Sequence, residues 1–195
     1  MGRYVIAAAC AAAVAAPGAA ARGGGYVFEG GSAYQRAQVV AALEASSFDW
    51  SIVPARVVVH IGRGFSSEAA PGEIWLDGGL LDAGTFSWGL VQHEYAHQVD
   101  FFLLDESART LLLELLGGEA WCEEPHGLRH SDYGCERFAS TLAWAYWPSP
   151  RNCLKPTRSD DESAALPPRA FRALVSTLLA RPSPLLFPNR VLGSS

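Results

Sequence analysis

Lysine is nearly missing from this chain: of fifteen basic residues only Lys155 is a lysine. We assign that bias to GC-rich coding rather than to arginine chemistry, so it excludes no function. Basic residues are also outnumbered, 15 against 20 acids, for a net charge of -5. Because the two signs are interspersed, there is no extended basic surface to neutralise phosphates or dock on anionic lipid, and a nucleic-acid partner is not expected. No apolar run reaches the roughly 18 to 20 residues of a membrane-spanning helix, so no integral membrane segment is expected in the mature chain. No CxxC pair occurs, which argues against a cysteine zinc site. Internal repeats are absent as well. A chain of 195 residues can bury one core but is short for two domains.

The N-terminus, "MGRYVIAAACAAAVAAPGAAARGGG", has a basic start at Arg3, an apolar stretch from Tyr4 to Ala16, a Pro-Gly break and small residues at Ala19 and Ala21. That is the layout of a secretory signal peptide over residues 1–21, with cleavage after Ala21 and a secreted or extracytoplasmic product. An alanine-rich leader on a cytoplasmic protein is the alternative. Removing the leader leaves Cys122, Cys135 and Cys153, which allow three alternative single disulfides and one remaining thiol. The domain is expected over residues 22–181, followed by a loose tail at 182–195.

Hydrophobic periodicity predicts an α+β domain. Strands are expected at "YVFEGG", "ARVVVHIG" and "GEIWLDGG". In the last of these, Ile74 and Leu76 alternate with Glu73, Trp75 and Asp77, a pattern suited to an exposed edge that accepts an extended peptide. We expect a short, mostly antiparallel sheet packed on the helix that carries "VQHEYAHQVDFF" and a C-terminal helical part. Helices are predicted from Ala33 to Ala45, from Thr85 or Ser87 to about Leu104, and through "DESARTLLLELLGG". Two more follow: "YGCERFASTLAWAYW", capped by Ser131 or Asp132, and "PRAFRALVSTLLA". Between the third and fourth of these helices lies a polar loop from about Gly118 to Asp132, long enough to suggest a functional role.

Chemistry concentrates at "VQHEYAHQVDFF". On a helix, positions i and i+4 share a face, so His93 and His97 present their imidazoles to one point. Glu94, next round the helix, can reach the same point as a base that takes a proton from water. Two histidines rarely hold a catalytic zinc, which usually takes three protein ligands and keeps a fourth position open. Glu136 is the expected third ligand, being the one acid in "CERFASTLAWAYW" and sharing a face with Ser140 and Ala143. As an acid near a helix N-terminus it is also favoured by the dipole alone. Asp100 suits an acceptor that fixes a histidine or a neighbouring loop, or a solvated surface acid. His60 suits packing or strand-end polarity.

"HEYAHQVD" followed by "ERFA" resembles the zincin metallopeptidases in their gluzincin form, HExxH with a downstream glutamate. HExxHxxD with a later ExFA is similar to the group holding anthrax lethal factor and the Pro-Pro endopeptidases. The resemblance covers about residues 73 to 147, and it implies one Zn²⁺ on His93, His97 and Glu136 with Glu94 as base. That group usually carries a tyrosine about two helical turns before its glutamate, to donate to the oxyanion, whereas Arg129 stands near that place here. Tyr133, His130 and His126 remain alternatives for the role. The expected activity is hydrolysis of a peptide or protein substrate. The competing expectation is a zincin-like domain that binds zinc or a partner without turnover, and the pattern assigns no oligomeric state.

Overall fold

The computed structural model describes residues 24–122 and 127–180. The expected signal peptide, the tail at 182–195 and His126 lie outside the described residues. In chain order the elements are β1 (Tyr26–Gly30), α1 (Ala33–Ala45), β2 (Val57–Gly62), β3 (Glu68–Ala70) and β4 (Glu73–Asp77), then α2 (Gly78–Leu81), α3 (Trp88–Leu103), α4 (Glu106–Leu116), α5 (Gly134–Tyr146) and α6 (Pro168–Leu179). The class is α+β, as expected.

Helix ends follow local chemistry. α1 opens with a capping box in which Ser32 Oγ accepts from Gln35 N and the Gln35 side chain accepts from Ser32 N. Asp105 caps α4 by accepting from Ala108 N at 2.8 Å. α5 departs from expectation: Ser131 and Asp132 do not cap it but fall in a 3₁₀ turn, His130–Asp132, and its N-cap Tyr133 makes no side-chain cap bond. Arg129 donates to both oxygens of Asp132, which engages that carboxylate elsewhere.

The sheet corrects two expectations. Its order is β1-β2-β4-β3, and it is mixed rather than mostly antiparallel: β1 with β2 and β2 with β4 are parallel, and only β3 with β4 is antiparallel. The reason is connectivity. α1 lies between β1 and β2, and a helical crossover returns the second strand in the direction of the first. β3, which periodicity did not reveal, forms a hairpin with β4 around Gly72, whose φ of 81° favours glycine. β3 therefore occupies the edge, and β4, expected there, lies inside the sheet. The alternation of β4 is nonetheless real, with Ile74 and Leu76 buried and Glu73, Trp75 and Asp77 half-buried. Alternation reports which face of a sheet is covered; it says nothing about the hydrogen-bonding edge, which lies in the sheet plane.

Val57, Val59, Ile61, Ile74 and Leu76 from the covered face share one core with Val39 and Leu43 of α1 and Val91, Tyr95 and Val99 of α3. α3 packs in turn on α5, and α5 on α4 and α6. Between these layers, every residue of α3 from Val91 to Asp100 is buried, polar ones included. A helix so enclosed holds polar side chains only where they find partners or a ligand. Among the described residues no helix is long and apolar enough to cross a membrane.

Candidate metal centre

α3 and α5 bring three ligand atoms together. His93 and His97 stand one turn apart on α3, with their Nε2 atoms 3.2 Å from each other. Glu136, in the first turn of α5, places Oε2 3.0 Å from His93 Nε2 and 3.4 Å from His97 Nε2. A tetrahedral zinc with bonds of 2.0 to 2.1 Å separates its ligand atoms by about 3.3 Å. The triangle has that size, and the donor set of two imidazoles and a carboxylate suits zinc. Both histidines are buried and the Glu136 side chain is 15 % exposed, so these residues fit one ion on a partly sheltered site.

Electrostatics tie the three together. Burial alone would raise the Glu136 carboxyl, but hydrogen bonds from His130, His93 and His97 outweigh it and hold the group far below the ordinary carboxylate range. Burial lowers His97, yet its bond to Glu136 and the nearby carboxylates more than reverse this and favour the cation. Glu94 differs from both. It is 4 % exposed and accepts no hydrogen bond from any described residue. Burial pushes its carboxyl up, and His93 and His97 offset that only in part. A carboxylate with a raised proton affinity and no hydrogen-bond partner among the described residues thus adjoins the triangle.

Two further side chains join the cluster. His130 places Nε2 3.0 Å from Glu136 Oε2 and Nδ1 2.7 Å from Glu162 Oε1. Hydrogen bonds to Glu136 and then Glu162 push its imidazolium up to about 10. Sequence reading missed Glu162, which stands in a one-turn 3₁₀ helix, Glu162–Ala164, before α6. Its Oε2 accepts from Ser140 Oγ at 2.8 Å, and Ser140 Oγ lies 3.1 Å from His93 Nδ1. A polar cavity of about 550 Å³ reaches Ser140 and Glu162, with Ser131, Lys155 and Asp160 also on its walls, so this network meets open volume.

The main chain of Tyr133 bridges to Ala120, and its amide donates to His130 O at 3.2 Å. Arg129 is spent on Asp132. Asp100 accepts from Arg109 Nε at 2.8 Å and from Trp121 Nε1, so it braces α4 and the loop rather than a histidine. His60 stacks on Trp75, with ring centroids 5.0 Å apart, and pairs with Glu29 on the half-open face of the sheet, as packing and surface polarity. Cys122 and Cys135 form a disulfide and Cys153 is free, one of the three pairings allowed. The bridge lies against Glu136 Oε1 and leaves Oε2 to the histidines. Gln98, also missed, donates to Ala70 O and Glu73 O and accepts from Gly72 N. It ties the β3–β4 turn to the helix that carries His97.

Fold and site together define an α+β domain with a three-residue centre suited to zinc. Comparison of the chain with protein-family models, with curated proteins and with solved structures found no match to any of them.

Proposed function

We propose that this chain is an exported zinc-dependent peptidase with a zincin-like arrangement. Zinc is held by His93, His97 and Glu136, and when bound it supplies Lewis acidity to a carbonyl and to water. Glu94 takes a proton from the attacking water and passes it to the leaving amine. His130 is held by Glu162 at Nδ1 and has Nε2 against Glu136 Oε2; with that oxygen on zinc, its Nε2 proton would be free to donate to the oxygen on which negative charge develops. An extended substrate lies along the β3 edge, which packs against α3 and offers main-chain groups for strand addition.

The observation that carries this reading is Glu94: it is buried beside the ligand triangle, accepts no hydrogen bond from a described residue, and its carboxyl is raised. A site built only to hold zinc has no use for such a group. The test is a peptide-library digest followed by mass spectrometry, with wild type, Glu94→Gln and chelator-treated protein side by side. Glu94→Gln is expected to keep zinc and fold while losing about 10² to 10⁴ in rate. Equal cleavage by wild type and Glu94→Gln removes Glu94 as the base. A wild type that binds zinc fully and cleaves nothing across the library favours the domain without turnover.

A further inference from the structure

The Glu162 carboxylate is shared between two residues of the site. Oε1 takes the Nδ1 proton of His130 at 2.7 Å, and Oε2 takes the hydroxyl proton of Ser140 at 2.8 Å. Ser140 is 1 % exposed, so the second bond is made inside the protein and not on its surface. A carboxylate has no proton to give, so the Ser140 hydroxyl must point its hydrogen at Glu162. Its oxygen then has only lone pairs to offer His93 Nδ1, 3.1 Å away. His93 Nδ1 must therefore donate and its proton is fixed on that nitrogen, so Nε2, which points at Glu136 and His97, is the nitrogen left to exchange its hydrogen bond for a metal. A histidine that binds a metal through Nε2 needs this tautomer.

Glu162 is itself anchored apart from its bonds to His130 and Ser140. Its main-chain oxygen accepts from Thr141 Oγ1 at 3.1 Å, and the next residue, Ser163, donates its hydroxyl to Leu154 O. The 3₁₀ turn is thereby pinned both to α5 and to the segment before it. Burial would raise the Glu162 carboxyl, but bonds from His130 and Ser140 hold it below the ordinary range, so it stays the acceptor that this order of protons requires.

We propose that Glu162 is a positioning residue for the site: one oxygen sets the tautomer and ring orientation of His93 through Ser140, and the other holds His130 with its Nε2 at the ligand triangle, 3.0 Å from Glu136 Oε2, where zinc taking that oxygen would free the N–H for the reacting carbonyl. The His130 arm rests on the peptidase reading, whereas the His93 arm concerns metal binding alone.

Two double-mutant cycles separate the arms. In the first, zinc affinity is measured by chelator competition for Glu162→Ala, Ser140→Ala and the double variant. Each single change is expected to weaken zinc by roughly 10- to 100-fold, and the double to be no worse than either. In the second, kcat and KM are measured at saturating zinc for Glu162→Ala, His130→Ala and the double. A fall in kcat at nearly constant KM is expected for each single change, again with no further loss in the double. Glu162→Gln supplies a same-sized control, because an amide has one acceptor oxygen and one donor NH₂ and can serve only one arm. It is expected to preserve zinc affinity or the His130-dependent rate, but not both.

Full zinc affinity in Glu162→Ala, or effects that multiply in the first cycle, overturn the proposal whatever the hydrolysis data say. Coupled zinc affinities with no hydrolysis by wild type sink the peptidase reading and with it the His130 arm, and leave Glu162 as the orienter of His93. Glu162→Gln behaving as wild type in both measurements reduces Glu162 to a structural role.

Discussion

His93 Nε2, His97 Nε2 and Glu136 Oε2 lie 3.0 to 3.4 Å from one another, and in the proposed zinc centre each is expected to be needed for tight binding. Purified protein should contain about one zinc per chain by elemental analysis, and His97→Ala or Glu136→Ala should abolish it. Undiminished zinc in Glu136→Ala would remove that residue from the centre. The ligands were legible in sequence to different degrees. His93 and His97 follow from helical spacing, which fixes their common face wherever the helix lies. Glu136 was legible as a lone acid on an apolar helix, but which of its oxygens serves the histidines depends on the disulfide against Oε1. Glu162 was not legible, because it ends a run of three acids, Asp160, Asp161 and Glu162, that reads as solvated surface. Only packing turns one of them toward Ser140 and His130.

At the scale of elements, the relation between α3 and the sheet sets where the β3 edge lies, which is where the proposed function puts a substrate strand. Gln98 controls that relation: it is fully buried, and its carboxamide meets three main-chain groups of the β3–β4 hairpin. Gln98→Ala leaves those groups without their partner and should cost about 2 kcal/mol of stability, read from denaturant unfolding. A loosened β3 should also raise KM for peptides more than it lowers kcat, with zinc content unchanged. Zinc loss in this variant would show that Gln98 supports the ligands rather than the edge. Most helix limits were legible from periodicity, and the caps and stops that set them in the structure are local, as at Ser32, Asp105 and Gly117. Strand order was not, because hydrogen-bond partners in a sheet leave no mark on the side-chain pattern of any one strand.

For the whole molecule, a metal that binds the folded chain alone adds stability by mass action. Free zinc at 100 times Kd contributes about 2.7 kcal/mol, or roughly 5 to 10 °C in Tm for a domain of this size, and Glu136→Ala should show no such rise. Without metal, His130 should make stability depend on pH. Its folded value is pushed up to about 10, from an ordinary value of 6.5, so the folded chain holds the proton longer than the unfolded chain does. That contribution is complete below about pH 6.5 and is lost as pH rises towards about 10. Thermal unfolding of chelator-treated protein across this window should therefore fall more steeply in wild type than in His130→Ala. Parallel curves would show that His130 gains nothing from Glu136 and Glu162 in the folded state.

The sequence by itself determined what depends on near neighbours along the chain: the α+β mixture, most helix ends, the covered face of β4, and a helix with two histidines on one face and an acid beside them. These follow from the periods of helix and strand and from capping chemistry, whose reach is about one turn. Tertiary structure alone decided the parallel pairing of β2 with its neighbours, the edge position of β3, the pairing of Cys122 with Cys135, and the arrival of His130 and Glu162 at the histidines. His93 and Glu162 are 69 positions apart in the chain, and no local preference couples residues at that distance. Their meeting through Ser140 follows from how α3, α5 and the 3₁₀ turn pack.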